Sequence, residues 1–186
     1  MGDEVFRHLA CLLFLATVPA NSSWAVPITN FPVSALAPCC SGPFPANFSA
    51  WQNTGATAQI GDSIALSATG LFAANNFFEP NVPPDGLPPN IATLSWLAPG
   101  ITSYSLVGKI GVFGEPFFVG SSFSGVAAES GDLFLGVNDE FFPDNVGGFT
   151  VSGSITAVPE PSTATLLIFG VSLLWISQRG ALARLS

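Results

Sequence analysis

The chain has 186 residues, enough for one domain with a real core and few for two. Only 9% are charged, the formal net charge is −8, and Lys109 is the only basic residue between Val26 and Val158. Nucleic acid is therefore not expected as a partner, because neutralising phosphates takes clustered Lys and Arg, and three cysteines are too few for a disulfide framework.

At the start, Leu9–Val18 is an apolar run of signal-peptide length and Ser23-Trp24-Ala25 is a small-x-small cleavage site, so residues 1–25 read as a removed leader. Val18-Pro19-Ala20 offers an alternative cut, and Asp3 and Glu4 offset Arg7 in what is ordinarily a positive leader. Residues 26–47, rich in Pro, Ala and Ser, read as an irregular arm or an edge strand. Within them Cys39 and Cys40 are adjacent. A strained disulfide ring, two free thiols, a cross-link to another chain and two small residues in a turn all stay open.

Residues 48–157 carry short alternating segments separated by Gly, Pro, Asn and Asp, the pattern of an all-β sandwich. Phe149–Ile155 is the clearest strand, with Phe149, Val151 and Ile155 on one face and Thr150, Ser152 and Ser154 on the other. Ile64–Ser67 follows the Gly61-Asp62 turn, and Ser105–Ile110 follows a Pro-Gly break at 99–100. Asp132–Val137 is apolar on nearly every residue, which suits a strand near the centre of a sheet. Asn75–Asn90 holds five prolines and predicts a long loop over one end.

In order, Trp51-Gln52-Asn53-Thr54-Gly55, Gly61-Asp62, Leu106–Gly111, Phe118-Val119-Gly120, Ser130–Asp139 and the strand from Gly148 resemble the bacterial calcium-dependent galactophilic lectins. The resemblance implies a small jelly-roll-like β-sandwich. It also implies a calcium in the loop after the Asn-Asp strand end, bridging protein and sugar hydroxyls. The matching positions are Asp139, Asp144 and Asn145, with Ala74 where the family supplies a backbone carbonyl. Oxygen donors of this kind suit a hard cation, which takes six to eight of them. The sugar-holding His and Gln of the family have no counterpart near Pro84-Asp85-Gly86. Polysaccharide is thus the expected class of partner, with the sugar and its binding residues left open.

Catalysis is not expected. The one histidine, His8, leaves with the leader, so no Ser-His or Cys-His pair can be built. Glu115, Glu129 and Asp132 are the carboxylates that could serve glycosidic chemistry, and no spacing brings any two of them together.

The chain closes on Val158-Pro159-Glu160-Pro161-Ser162-Thr163, an apolar run at 164–176, and then Arg179 and Arg184. Each proline fixes φ and removes an N–H donor, so the pair ends the folded body. A helix over about 162–178 is just long enough to span a bilayer, and the arginines after it predict a cytoplasmic terminus. This order is similar to the PEP-CTERM sorting signal of bacterial envelope proteins. By that resemblance Pro159, Glu160 and Pro161 are the motif read by an exosortase, and 158–186 is the sorting signal. The expectation is an exported protein, anchored first in the inner membrane through its terminal helix, then left in the envelope, the extracellular matrix or the medium. A structural surface component with no small ligand is the alternative.

Overall fold

Residues Val146–Thr156 form one strand, β8, whose inward positions Phe149, Val151 and Ile155 are buried while Thr150 is exposed. The same period of two recurs in β3 (Ser63–Ala73), where Ile64, Leu66 and Ala68 alternate with exposed neighbours. The remaining strands are β1 (Ala25–Ser34), β2 (Gln52–Ala58), β4 (Leu106–Ile110), β5 (Phe117–Phe118), β6 (Ser122–Val126) and β7 (Gly131–Val137). The computed structural model describes residues 24–35, 50–74 and 81–158. The expected leader through Ser23, Cys39, Cys40 and the expected sorting motif with its apolar run lie outside the described residues.

The described residues are all-β, with two four-stranded antiparallel sheets in the orders β1-β8-β3-β6 and β2-β7-β4-β5. Their inner faces share one core, to which Ile64, Leu66, Val151 and Ile155 come from the first sheet and Leu106, Ile110, Leu133 and Leu135 from the second. Non-directional burial of this apolar surface holds the sheets together. The strand read as central, Asp132–Val137, is β7, which is flanked on both sides by β2 and β4. Among the described residues no helix is long and apolar enough to cross a membrane.

Of the two readings of residues 26–47, the edge strand holds for the first part and the irregular arm is corrected there: β1 runs from Ala25 to Ser34 at the edge of its sheet. Trp24 and Ala25, expected in the leader, also belong to the folded body. Ala25 pairs with Thr156, and the Ala157 N–H donates to the Trp24 carbonyl at 3.1 Å. Pro27 and Pro32 disguise this strand, but β1 is an edge, where a missing N–H costs no ladder bond. Its register breaks between Ile28 and Phe31, where Asn30 turns to a φ of 47° and donates its N–H to Ser152 Oγ. The described part of the Pro-rich loop, from 81, lies against the start of β4. Pro84 accepts from the Leu106 N–H, and Asp85 accepts from the Ser121 N–H and Oγ at 2.8 and 3.0 Å.

Candidate functional site

The loop from β7 to β8 gathers the residues named for calcium. β7 ends at Val137, and Asn138 and Asp139 continue inward, 0% and 4% exposed. A single 3₁₀ turn, Phe142–Asp144, then brings the chain back to Asn145, also fully buried. Pro143 near the start of that turn fixes φ where no hydrogen bond is lost.

Asp139 Oδ1 accepts the backbone N–H groups of Glu140 and Phe141, at 2.6 and 3.3 Å, which folds the loop around its carboxylate. Its Oδ2 accepts from Asn145 Nδ2 at 2.8 Å, and that amide also donates to the Ala35 carbonyl at 3.1 Å. Both partners of the amide are acceptors, so its nitrogen must face them and Asn145 Oδ1 points elsewhere. Among the described residues Asn145 Oδ1 and Asp144 Oδ1, both buried, have no hydrogen-bond partner. Ala74 stands level with Asn145, because β3 and β8 pair Ala73 with Val146 and the next position follows.

Burial holds the Asp139 carboxyl above the usual range, against hydrogen bonds from Asn145, Phe141 and Glu140 that lower it, with Asp144 raising it further. Tyr104 reports the same field. Its phenol is raised first by burial and then by the charges of Asp139, Glu140 and Asp144. Lys109, the only base among the described residues, does not relieve them. Its ammonium lies over the Trp51 and Phe134 rings and donates to the Val112 carbonyl.

The structure thus brings Asp139, Asp144, Asn145 and Ala74 to one loop cluster. It also supplies residues the sequence reading passed over. Asn138 Oδ1 accepts the Ala98 N–H at 2.9 Å, and its Nδ2 donates to the Ala98 and Thr102 carbonyls at 3.1 Å each. Leu97 N–H donates to the Asp139 carbonyl, and Ser95 Oγ to Glu140 Oε2 at 2.7 Å. These bonds clamp the 93–102 segment beside the acidic loop. They span 36 to 45 positions, and no local pattern in the sequence marks them.

Of the carboxylates weighed for catalysis, Glu115 and Glu129 meet at one place: the Glu115 N–H donates to Glu129 Oε1 at 3.3 Å. Asp132 lies apart, accepting from Asn53 Nδ2 and Thr57 Oγ1 at 2.9 Å each.

Neither a protein-family model nor a curated protein matches the chain, so both resemblances rest on the residues quoted for them. Among solved structures the chain is similar to the EclA N-terminal domain, a PllA-like lectin, at 22% identity and a TM-score of 0.44. The match covers 72% of this chain and 94% of that one. At that distance the likeness says nothing of a ligand.

Proposed function

We propose that this is a non-catalytic, exported envelope or matrix protein whose β-sandwich binds calcium at the β7–β8 loop and, through it, carbohydrate. The carrying observation is the pair of buried acceptors, Asp144 Oδ1 and Asn145 Oδ1, left without a donor among the described residues beside the buried Asp139 carboxylate. An unsatisfied buried oxygen costs on the order of 1–3 kcal/mol, so two of them beside a buried acid that no basic side chain answers among the described residues favour a cation. All the donors are oxygens, which suits calcium and disfavours zinc. Among the described residues no three His, Cys, Asp or Glu side chains come together as a metal group. Two acids and an amide fall short of six to eight oxygens, which leaves room for a backbone carbonyl such as that of Ala74, for water and for sugar hydroxyls. When bound, calcium would supply positive charge that orients such hydroxyls.

Phe141, 58% exposed next to Asp139, offers a ring face to a sugar beside those oxygens. The strand orders β1-β8-β3-β6 and β2-β7-β4-β5 support the jelly-roll-like reading. The tail's Pro159, Glu160 and Pro161 support sorting by an exosortase, with the membrane as the first stop. Because strand pairing starts at Ala25, leader cleavage after Ala20 fits this fold better than cleavage after Ala25.

Thermal melting of the full-length chain tests the site. At calcium about a hundredfold above Kd, linkage stabilises by about 2.7 kcal/mol, a rise in Tm of roughly 8 °C, and magnesium does much less. Asp144→Asn, which removes charge and keeps shape, abolishes most of that rise. An unchanged Tm in wild type refutes calcium binding; a calcium-dependent shift without glycan-array binding refutes only the carbohydrate step.

A further inference from the structure

At the opposite end of the sandwich from the acidic loop, a cleft of about 240 Å³ opens between the two sheets. β7 fixes the separation: Gly131 lies at the cleft end and Val137 at the acidic end, about 20 Å apart at strand rise. Ile64 of β3 and Ile110 of β4 line it from either sheet, with Phe117 and Phe123 from the short edge strands β5 and β6. The two phenyl rings stack with centroids 4.8 Å apart and 28° between planes. Each leans on a glycine: a Cβ at Gly108 would meet the Phe117 ring at 2.8 Å, and one at Gly125 the Phe123 ring at 2.7 Å. The rings thus occupy the space that side chains at Gly108 and Gly125 would take, which fixes where the two phenyl groups stand in the cleft wall.

Glu115 and Glu129 complete the lining. Both are solvent-exposed, and the hydrogen bond from the Glu115 N–H ties Glu129 to the neighbouring loop. No basic side chain answers them among the described residues, since Lys109 is engaged with Trp51, Phe134 and Val112. Two carboxylates thus stand beside an aromatic-lined apolar space. At about 30 Å³ per water-sized group, that space takes on the order of eight heavy atoms.

We propose that this cleft binds a small primary amine on an apolar stem, its aryl or alkyl part against Phe117 and Phe123 and its ammonium at Glu115 and Glu129. An anion is repelled there, and a neutral apolar molecule gains the stem contacts without the charge. The ammonium near the ring faces adds a cation–π contribution. The site is independent of the calcium loop.

The test uses the full-length chain in neutral detergent, with phenethylammonium, 2-phenylethanol and phenylpropionate as probes. NMR of selectively labelled Phe should show saturable shifts of the Phe117 and Phe123 rings with phenethylammonium, weakening as salt is raised. Affinity for 2-phenylethanol should be roughly tenfold lower, the worth of two exposed charge contacts, and phenylpropionate should not bind. Glu115→Gln with Glu129→Gln should bring the amine down to the alcohol. Equal affinity of amine and alcohol for wild type would overturn the proposal, as would rings that stay unshifted to about 10 mM, a concentration at which even a millimolar ligand saturates.

Discussion

Asp132 sits where β2 departs from regular pairing, between the Asn53–Phe134 and Thr57–Asp132 pairs, and its carboxylate fills the irregularity by accepting from both Asn53 and Thr57. Those two hydrogen bonds, Asn53's first, hold its pKa below the ordinary value. A depressed folded pKa contributes stability above the unfolded value of about 4, and that contribution is lost as pH falls through the folded one. Differential scanning calorimetry from about pH 5 to pH 2 should therefore show a shallower acid-side loss for Asp132→Asn than for wild type. Equal slopes would mean that these bonds carry no net stability. At this scale Asp139, Asp144 and Asn145 were singled out by the resemblance to the galactophilic lectins, since residue type alone marks them only as turn formers, and they fall in one loop. Asn138's clamp on Ala98 and Thr102 was not legible, because only the closed fold brings residues so far apart into one hydrogen-bond set.

Among the elements, β8 carries the first sheet, pairing with β1 on one side and β3 on the other. Its long ladder with β3 runs from Ser63–Thr156 to Ala73–Val146. Gly70 makes the close approach within that ladder possible. Its φ is 107°, and a Cβ there would lie 2.6 Å from the Gly148 carbonyl oxygen. The obstacle is backbone, which cannot swing aside, so Gly70→Ala should lower the unfolding free energy in urea by about 2–3 kcal/mol. A loss within experimental error would show that the ladder relaxes freely here. The clean alternation of β8 made that strand readable before any coordinates. By contrast β2, QNTGATA, has no apolar stripe, and β5 is only two residues long. Edge and bulged strands are shaped by what they pair with, so their own sequence says little.

For the molecule as a whole, pairing between chain ends dominates: the first strand is completed by the last, and β2 by β7. Contacts of such high sequence separation must await most of the chain, which places this fold among the slower all-β folders. The class and the middle strands could be read from the sequence, whereas the cleft between the sheets could not. Its aromatic wall is set by two phenylalanines from separate edge strands, whose rings lie over Gly108 and Gly125 and stack on each other only in the closed fold.

The hydrogen bond from Ala157 to the Trp24 carbonyl has one more consequence. Way in and way out of the body sit side by side, like the two pins of a plug. A body with such a doorway can be spliced into a surface loop of an unrelated host without prying that loop apart. Equally, a few residues of linker can join Trp24 to Val158 while fresh termini are cut in an exposed turn, a circular permutation that leaves every ladder whole.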